Sequence, residues 1–452
     1  MATQKDKAAR LVERFGGARN GSFTPSGMPI AEIAAEIGTP FYLYDGGMVA
    51  ARAREVIEAL GTEVLFSVKA NPSLAISQIL QGVPGVGAEA ASSGELAVVL
   101  AAGFPPSDLL FAGPGKTDDE LDRLVCAGIL ADNVESLNEI DRLGAAAARA
   151  GTTAGVGLRL NPATQLLGAQ MRMGGTASQF GIGEEDLEAA VERVAGSPNL
   201  ELRGIHVYTA TQVFDPAPLV EHCRNVFDLA IRTAELSGRP LGFIDFGGGF
   251  GIPYFEGLDD FDLVGFGRAF RGLRATYAGD SRLQGTRLMF ELGRYLVADA
   301  GLYVTRVVDV KDTRGTTFVV TDGGMNHHLT ATGNMGQVFR KPFPLANLSR
   351  LEGGATTVTV TGPLCTPLDV FGTKIELGAP RVGDLVGVFY SGAYGYSASN
   401  LGFLSHATPA EVLLHEGRLH VLRAGGAHDG VLAGQVGLPT SAASSPTISP
   451  TS

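Results

Sequence analysis

The chain has 452 residues, 45% of them hydrophobic and 18% charged, so it is long enough for two folded domains and has the composition of a globular protein. A formal net charge of −12 and the lack of a basic run argue against a nucleic-acid partner. The three cysteines have no metal-type spacing, no apolar run is long enough to span a bilayer, and the charged amino terminus lacks the apolar segment of a secretory signal. We therefore expect a cytoplasmic protein with no metal site and no membrane partner.

The amino-terminal part of the chain ends in a strand. Residues 1–24 predict a charged helix and a polar loop that form an extension. Residues 25–44 end in the strand-like run Phe41–Tyr44, and we expect this region to contribute a strand to a separate β domain.

From residue 45 to residue 298, short apolar strands alternate with helical patterns, as is typical of βα units. Eight strands are predicted, at 64–68, 85–90, 109–113, 128–132, 155–160, 203–208, 241–246 and 287–291. Eight strands that are usually followed by helices predict an α/β fold of the (β/α)8 barrel type. A doubly wound open sheet is the alternative.

After residue 298 the helical pattern stops. Turns separate strand-like runs in this part of the chain, at Tyr303–Val310, Thr316–Thr321, Ala355–Thr361, Leu385–Phe389, Glu411–Leu414 and Arg418–Leu422. This pattern predicts an all-β domain of barrel or sandwich type over residues 299–436. Residues 437–452 are rich in Ser, Thr, Pro and Ala and predict a disordered tail.

A lysine, Lys69, lies at the carboxyl end of the first predicted barrel strand, in the stretch EVLFSVKAN. A cation at the end of a buried strand is costly unless it has a partner or a function. Desolvation lowers the pKa of a lysine, and a neutral amine can form an imine with an aldehyde. A lysine that extends to solvent along its aliphatic stem is the alternative. The active sites of (β/α)8 barrels lie at this end of the strands, which favours the functional interpretation.

The seventh and eighth predicted strands end in groups suited to an anion and a heterocycle. Consecutive glycines, Gly247 to Gly249, allow backbone N–H groups to approach an anion. The planar guanidinium of Arg294 suits a phosphate, and the carboxylate of Glu291 could hold a ring nitrogen protonated, although these two residues could also simply pair with each other. An imine-forming lysine, a phosphate cradle and a carboxylate for a ring nitrogen are the requirements of pyridoxal 5′-phosphate, PLP.

In their order, these motifs resemble the fold-type III PLP-dependent decarboxylases, the alanine-racemase-like group that includes the diaminopimelate and ornithine decarboxylases. The likeness covers roughly residues 38–415. It implies a PLP-binding (β/α)8 barrel, a carboxyl-terminal β domain, and a homodimer with the active site at its interface.

The resemblance also implies a role for individual residues. The implied cofactor-binding residues are Lys69, Glu89, Arg159, His206, Tyr208, Thr211, Gly247, Gly248, Gly249, Glu291, Gly293, Arg294 and Tyr394. The implied catalytic residues are Lys69 and Cys365, the cysteine being supplied by the partner subunit, and Thr366 and Asp369 are the implied substrate residues. Tyr208 stands where the family usually has a histidine stacked on the cofactor; a phenol can stack but does not titrate near neutrality. His206 either contributes to the site or is a structural histidine.

Two departures from the family pattern concern the substrate. Thr366 replaces an acidic residue that helps to bind the distal end of a basic or zwitterionic substrate, and Asn326-His327-His328 stands near the place of an expected Arg-Pro motif. The chain looks most like a subgroup that acts in antibiotic biosynthesis on an amino acid held as a thioester on an acyl carrier protein. A thioester removes the distal charge, which fits these losses. Because carrier proteins are acidic, docking would need a basic patch; Arg340, Lys341 and Arg350 are candidates, and a solvated charged loop is the alternative.

Other functions remain open. The same chemistry could act on a free amino acid such as diaminopimelate, ornithine or lysine. A racemase fits less well, because racemase chemistry favours an arginine at the ring nitrogen rather than Glu291. A catalytically silent PLP-binding regulator is the alternative from another class, but such a protein should have lost Lys69 or Cys365.

Overall fold

The fold is that of a computed structural model, which describes residues 3–163, 171–172, 177–334, 341–352 and 354–438. The expected tail lies outside the described residues from Pro439 onward, as does Arg340 of the expected basic patch.

Eight parallel strands form a closed barrel. In chain order they are Glu63–Ser67, Val86–Ala90, Leu109–Ala112, Ala131–Val134, Ala154–Asn161, Leu200–His206, Phe243–Asp245 and Arg287–Leu292. Each strand pairs with the next, and the eighth pairs with the first, which closes the cylinder. The predicted (β/α)8 barrel is confirmed, and the open sheet is wrong. The fourth strand begins at Ala131 instead of residue 128, because Gly128 ends the preceding helix in a left-handed conformation, φ 64°.

The register of the barrel brings polar residues together at one end. Ser67 lies opposite Glu89 on the neighbouring strand, and His206 lies opposite Asp245. Residues two apart in a strand point to the same face, so Leu65 and Ser67 both face the barrel interior. A small apolar cluster fills that interior, made of Leu65, Leu110, Ala131, Phe243 and Met289. The polar residues thus stand above an apolar base.

Helices surround the barrel. Gly46–Leu60 precedes the first strand, and the helices that follow the strands are Leu74–Gln81, Ser93–Ala102, Asp118–Ala127, Leu137–Ala150, Leu187–Ala195, Pro216–Ser237, Leu263–Tyr277 and Arg294–Val297. Several begin with a side chain that caps a free N–H group; Ser92, Thr117 and Ser136 each accept a bond from the backbone N–H three residues later. Such caps stabilise a helix by about 1 kcal/mol each.

Among its described residues, the β domain contains nine strands: Phe41–Asp45, Gly301–Thr313, Thr316–Thr321, Leu345–Asn347, Ala355–Thr361, Val370–Gly378, Leu385–Phe389, Ala410–His415 and Arg418–Arg423. Phe41–Asp45 lies between Gly301–Thr313, to which it is antiparallel, and Ala410–His415, to which it is parallel. The predicted all-β domain is therefore found. The strands Leu345–Asn347 and Val370–Gly378 were not predicted.

The amino-terminal region contains the helices Gln4–Arg14 and Ile30–Ile37 and a short hairpin, Ala18–Arg19 with Ser22–Phe23. The second helix lies within the region 25–44, ahead of its strand. Two further short pairings involve Met171–Arg172 with Ala210–Thr211, and Ile182–Gly183 with the fifth barrel strand. Across the described ranges, no helix combines the length and the apolar character required to cross a membrane.

A loop of the β domain contacts the barrel beside Lys69. The backbone N–H of Tyr394 donates to the carbonyl oxygen of Ala70 at 2.8 Å, and the side-chain amide of Asn71 donates to the carbonyl oxygen of Gly392 at 2.9 Å. A Cβ atom at Gly392 would lie 1.8 Å from the carbonyl oxygen of Val297, so only glycine permits this approach. The contact brings Tyr394 next to the end of the first barrel strand.

Candidate active site

Lys69 lies in a single helical turn, Val68–Ala70, directly after the first barrel strand. Its Nζ is 3.1 Å from Oε1 of Glu291 and 3.5 Å from Oε2 of Glu89, and 43% of its side chain is exposed. Desolvation lowers the pKa of Lys69, but the charges of Glu291 and Glu89 outweigh this effect and hold the pKa well above the usual lysine value. Desolvation alone therefore does not make this amine neutral. The ammonium lies beside two buried carboxyl groups.

A hydroxyl joins these two carboxylates. Ser67 Oγ lies 2.7 Å from Oε2 of Glu89 and 2.9 Å from Oε1 of Glu291. One hydroxyl proton cannot serve both acceptors. Burial, together with the charge of Glu291, raises the pKa of Glu89 to about 7, so Glu89 can hold a proton and donate it to Ser67. Ser67 then donates its own proton to Glu291.

His206 lies on the other side of Glu291. Nε2 of His206 lies 3.0 Å from Oε2 of Glu291, and one ring nitrogen of His206 and one carboxylate oxygen each of Asp245 and Glu291 lie within 4.8 Å of one another. Burial lowers the pKa of His206, but Asp245 and Glu291 raise it by more than burial lowers it. The pKa of His206 therefore lies above the usual histidine value. Burial raises the pKa of Asp245 to about 6. Burial also acts to raise the pKa of Glu291, but Lys69 and His206 hold it well below its usual range, so this carboxylate is ionised.

The glycine run follows the seventh strand and approaches its neighbours closely. Gly247 and Gly249 have φ values of 64° and 97°, which favour glycine. A Cβ atom at Gly248 would lie 2.0 Å from the carbonyl oxygen of Glu291, and one at Gly249 would lie 2.2 Å from that of Ala210. The backbone is therefore free of side chains at this point of the site.

Arg294 begins the short helix after the eighth strand, and Gly293 precedes it with no room for a side chain. Nη1 of Arg294 donates to the hydroxyl of Tyr254 at 3.2 Å, and the guanidinium carbon lies 4.5 Å from the ring centroid of Tyr394. Nε of Arg294 is buried and has no hydrogen-bond partner. A buried cationic donor without a partner suits an anionic ligand.

Most of these groups line one cavity of about 330 Å³, a volume that includes its open mouth. Its lining residues are Ser67, Lys69, Tyr208, Thr211, Gly249, Phe250, Glu291, Leu292, Gly293, Arg294, Tyr295 and Tyr394. Nζ of Lys69 lies 5.9 Å from the centroid of the Tyr208 ring. Burial raises the pKa of Tyr208 to about 12, so its phenol is neutral at pH 7.

The barrel matches a known family model, that of the pyridoxal binding domain of the pyridoxal-dependent decarboxylases, over residues 47–298. The chain belongs to this family. An L-glutamyl-[BtrI acyl-carrier protein] decarboxylase of Niallia circulans is 36% identical over 413 residues, which are 90% of this chain and 96% of that protein. A diaminopimelate decarboxylase of Zymomonas mobilis is 31% identical over 414 residues, 90% of this chain and 94% of that protein. The crystal structure of a diaminopimelate decarboxylase from M. jannaschii has a TM-score of 0.87 at 27% identity and covers 95% of this chain and 99% of its own.

The expected family, enzyme class and cofactor are thus confirmed: the protein is a PLP-dependent amino-acid decarboxylase. The groups that line the cavity suit PLP chemically. The unpartnered Nε of Arg294 and the bare backbone at Gly247–Gly249 suit the phosphate, and the ionised carboxylate of Glu291 suits a protonated ring nitrogen. Lys69 is the candidate amine for the aldehyde.

Arg159, a predicted cofactor residue of this decarboxylase, has another set of contacts. Its Nη1 lies 2.6 Å from Oε1 of Glu135, and its guanidinium carbon lies 4.9 Å from the ring centroid of Phe180. Glu135 also accepts bonds from the backbone N–H groups of Gly113 and Gly181. Arg159 therefore helps to hold the loops that follow the third and fifth strands.

Cys365, Thr366 and Asp369 lie together on a loop of the β domain, and of the described residues these three are not among those that line the Lys69 cavity. The thiol of Cys365 is exposed and not in a disulfide. Asp369 is 2% exposed, and its carboxylate accepts bonds from the backbone N–H groups of Met325 at 2.7 Å and Leu364 at 2.8 Å. Asp369 therefore holds the backbone of this loop, and its expected contact with substrate stays a prediction.

The two histidines near the place of the Arg-Pro motif are structural. Nε2 of His327 lies 2.9 Å from the carbonyl oxygen of Ala407, and Nε2 of His328 lies 2.9 Å from Oγ of Ser391. Burial lowers the pKa of His327 to about 4 and that of His328 to about 3. Both rings are therefore neutral at pH 7 and pack inside the β domain.

Sequence reasoning missed three residues of the site: Ser67, Asp245 and Tyr254. Ser67 precedes Lys69 by two positions at a strand end, and Asp245 is a carboxylate at the end of an apolar strand next to the glycine run. Both positions carried a usable signal, because polar groups at the carboxyl ends of barrel strands point to the active site. Tyr254 carried none.

Proposed function

We propose that this decarboxylase removes the α-carboxyl group of an amino acid carried as a thioester on an acyl carrier protein, in the cytoplasm and in the biosynthesis of an antibiotic. The observation that carries the proposal is the likeness to the Niallia circulans enzyme, whose name specifies a carrier-bound glutamyl substrate, at 36% identity over 90% of this chain. Three diaminopimelate decarboxylases among the relatives are 31%, 32% and 34% identical.

Carrier attachment has a consequence for the charge of the substrate. Decarboxylation at the α-carbon requires a free α-carboxyl group and a free α-amine, so a glutamate must be joined to the carrier through its side-chain carboxyl. Its distal end is then an uncharged thioester, whereas the distal end of diaminopimelate carries an ammonium and a carboxylate. Thr366 and the neutral, buried rings of His327 and His328 offer no charge to bind such groups, which supports an uncharged distal end.

We assign a separate role in the reaction to each of several residues in and around the cavity. When bound, PLP supplies an electron sink for the electron pair that remains as CO2 leaves. Glu291 holds a proton at the ring nitrogen, and His206 keeps Glu291 oriented and ionised. Arg294 and the glycine run bind the phosphate and so fix the orientation of the ring. The amine of Lys69 would hold the cofactor through its aldehyde.

The proton that replaces CO2 at the α-carbon needs a donor. We assign it to the Sγ–H of Cys365, supplied from one subunit of a homodimer to the cavity of the other. This assignment is supported by the exposure of Cys365 and by its place outside the cavity of its own chain. The carrier would dock near the mouth of that shared site. Of the proposed basic patch, Arg350 is engaged with Asp384 at 3.0 Å.

Decarboxylation of a free amino acid such as diaminopimelate, ornithine or lysine is the second candidate. It is favoured by the diaminopimelate decarboxylases among the relatives and by the TM-score of 0.87 to one of their structures.

A decarboxylation assay on the PLP-loaded enzyme distinguishes the two candidates. Free diaminopimelate, ornithine, lysine, glutamate and aspartate are compared with glutamyl and aspartyl groups loaded on a carrier protein, and mass spectrometry follows the loss of CO2. We expect turnover only on the carrier. Lys69→Ala is the control and should be inactive on every substrate. Efficient turnover of a free amino acid would overturn the proposal and establish the second candidate.

A further inference from the structure

The amino-terminal helix carries a buried lysine. Lys7 is 0% exposed, and its Nζ donates to the carbonyl oxygens of Pro253 at 2.9 Å, Leu258 at 2.6 Å and Phe255. An ammonium has three donors, so all of them are used. Burying a cation costs free energy that only well-formed hydrogen bonds offset. Lys7 therefore fixes the course of residues 253–258.

These residues follow the glycine run of the cofactor site after an interval of three residues. Gln4, one turn before Lys7, donates from Nε2 to the carbonyl oxygen of Tyr254 at 3.1 Å. On the other side, Gln212 holds Ile252 by two bonds, accepting from its N–H at 3.0 Å and donating to its carbonyl oxygen at 3.1 Å. The segment is thus held between the amino-terminal helix and the loop after the sixth strand.

Tyr254 links this segment to the phosphate-binding arginine. Tyr254 is 2% exposed, and its ring packs against Phe343 and Tyr390 at centroid distances of 4.4 and 5.5 Å. Its hydroxyl accepts the bond from Nη1 of Arg294, whose guanidinium carbon lies 5.6 Å from the Tyr254 ring. Nε of Arg294 stays buried and unpartnered. The position of Tyr254 therefore sets the direction in which Arg294 presents its remaining donors.

We propose that Lys7 is a positioning residue for the phosphate of PLP. By holding the carbonyl groups of residues 253, 255 and 258, it fixes Tyr254, and Tyr254 orients Arg294 toward the phosphate. Lys7 lies outside residues 47–298, the part of the chain that matches the family model. The inference rests on the cofactor alone, so it holds for carrier-bound and free substrates alike.

The test compares PLP with pyridoxal, which lacks the phosphate, as ligands of the full-length protein stripped of its cofactor. Lys7→Met keeps the length of the side chain and removes its three donors. Lys5→Met is the matched control, because Lys5 is exposed on the same helix and loses the same charge. Absorbance titration gives the Kd of each ligand. We expect Lys7→Met to weaken PLP binding by about tenfold, as the loss of a charge-assisted bond does, and to leave the Kd of pyridoxal unchanged. Lys5→Met should change neither Kd.

The ratio of the two Kd values isolates the contribution of the phosphate. An unchanged ratio in Lys7→Met, including an equal loss of affinity for both ligands, would show that Lys7 only stabilises the fold. If Lys7→Met does not fold, Tyr254→Phe is measured instead. This variant removes only the hydroxyl through which Lys7 would act on Arg294. The proposal requires the Kd of pyridoxal divided by the Kd of PLP to be smaller in this variant than in the wild-type protein. A ratio equal to that of the wild type would overturn the proposal. The binding measurement involves no substrate, so its failure is distinct from failure of the carrier-bound function.

Discussion

Asp369→Asn tests whether this carboxylate holds a loop or binds substrate. Its two oxygens accept from the backbone N–H groups of Met325 at 2.7 Å and Leu364 at 2.8 Å. Asparagine keeps one acceptor and turns an NH2 group toward the other N–H. Losing a bond to a charged group costs about 1.5–3 kcal/mol. Because desolvation raises the pKa of Asp369, burial of the ionised form already costs some free energy, and we expect a net loss of about 2 kcal/mol.

Urea unfolding followed by circular dichroism measures this loss. Asp309→Asn makes the same change at an exposed site of the same domain and should alter the free energy of unfolding by less than about 0.5 kcal/mol. Since Cys365 lies on the loop that Asp369 holds, kcat should fall in Asp369→Asn while KM changes little. Unchanged stability together with a raised KM would refute the loop-holding role and restore the role in substrate binding.

Two further predictions concern the cofactor site. Burial raises the pKa of Glu89 from 4.5 to about 7, so the folded protein retains a proton that the unfolded chain releases, and its free energy of unfolding should fall as the pH rises through this interval. In Glu89→Gln, the free energy of unfolding measured by urea titration should therefore fall less steeply with pH over this interval. A pH dependence equal to that of the wild type would contradict the presence of a proton on Glu89. Gly248→Ala places a Cβ 2.0 Å from the carbonyl oxygen of Glu291 and should weaken PLP binding by more than about tenfold, as measured by absorbance titration. Gly272→Ala, on an open helix surface, should bind PLP normally; normal binding by Gly248→Ala as well would show that the glycine run is not closely packed.

The parts of the site that sequence predicts best are those that end a strand. Lys69 and Glu291 are far apart in the chain, but each follows a barrel strand, and closure of the barrel sets the eighth strand beside the first. The prediction of a (β/α)8 barrel therefore already implied their contact, which the structure places at 3.1 Å. Local pattern and a known architecture were sufficient here.

Tertiary contacts decided what sequence did not predict. Lys7 stands among charged residues in a helix that looks solvent-exposed, and only the approach of residues 253–258 buries it. The position of backbone N–H groups around Asp369 is likewise absent from sequence. The strand Val370–Gly378 was missed because Gly372 and Lys374, the latter with a φ of 54°, interrupt its alternating pattern.

The order of the β-domain strands along the chain determines when each strand can pair during synthesis. Phe41–Asp45 is buried along its whole length, yet both of its neighbours in the sheet follow the barrel in sequence. On the ribosome this aromatic strand emerges first and keeps two unpaired edges until the barrel, and then the last strands, have been made. Unpaired edges of apolar strands invite aggregation. A fragment that ends with the barrel at residue 298 would keep the strand and lose both partners, so we expect truncation after the barrel alone to leave an apolar strand unpaired.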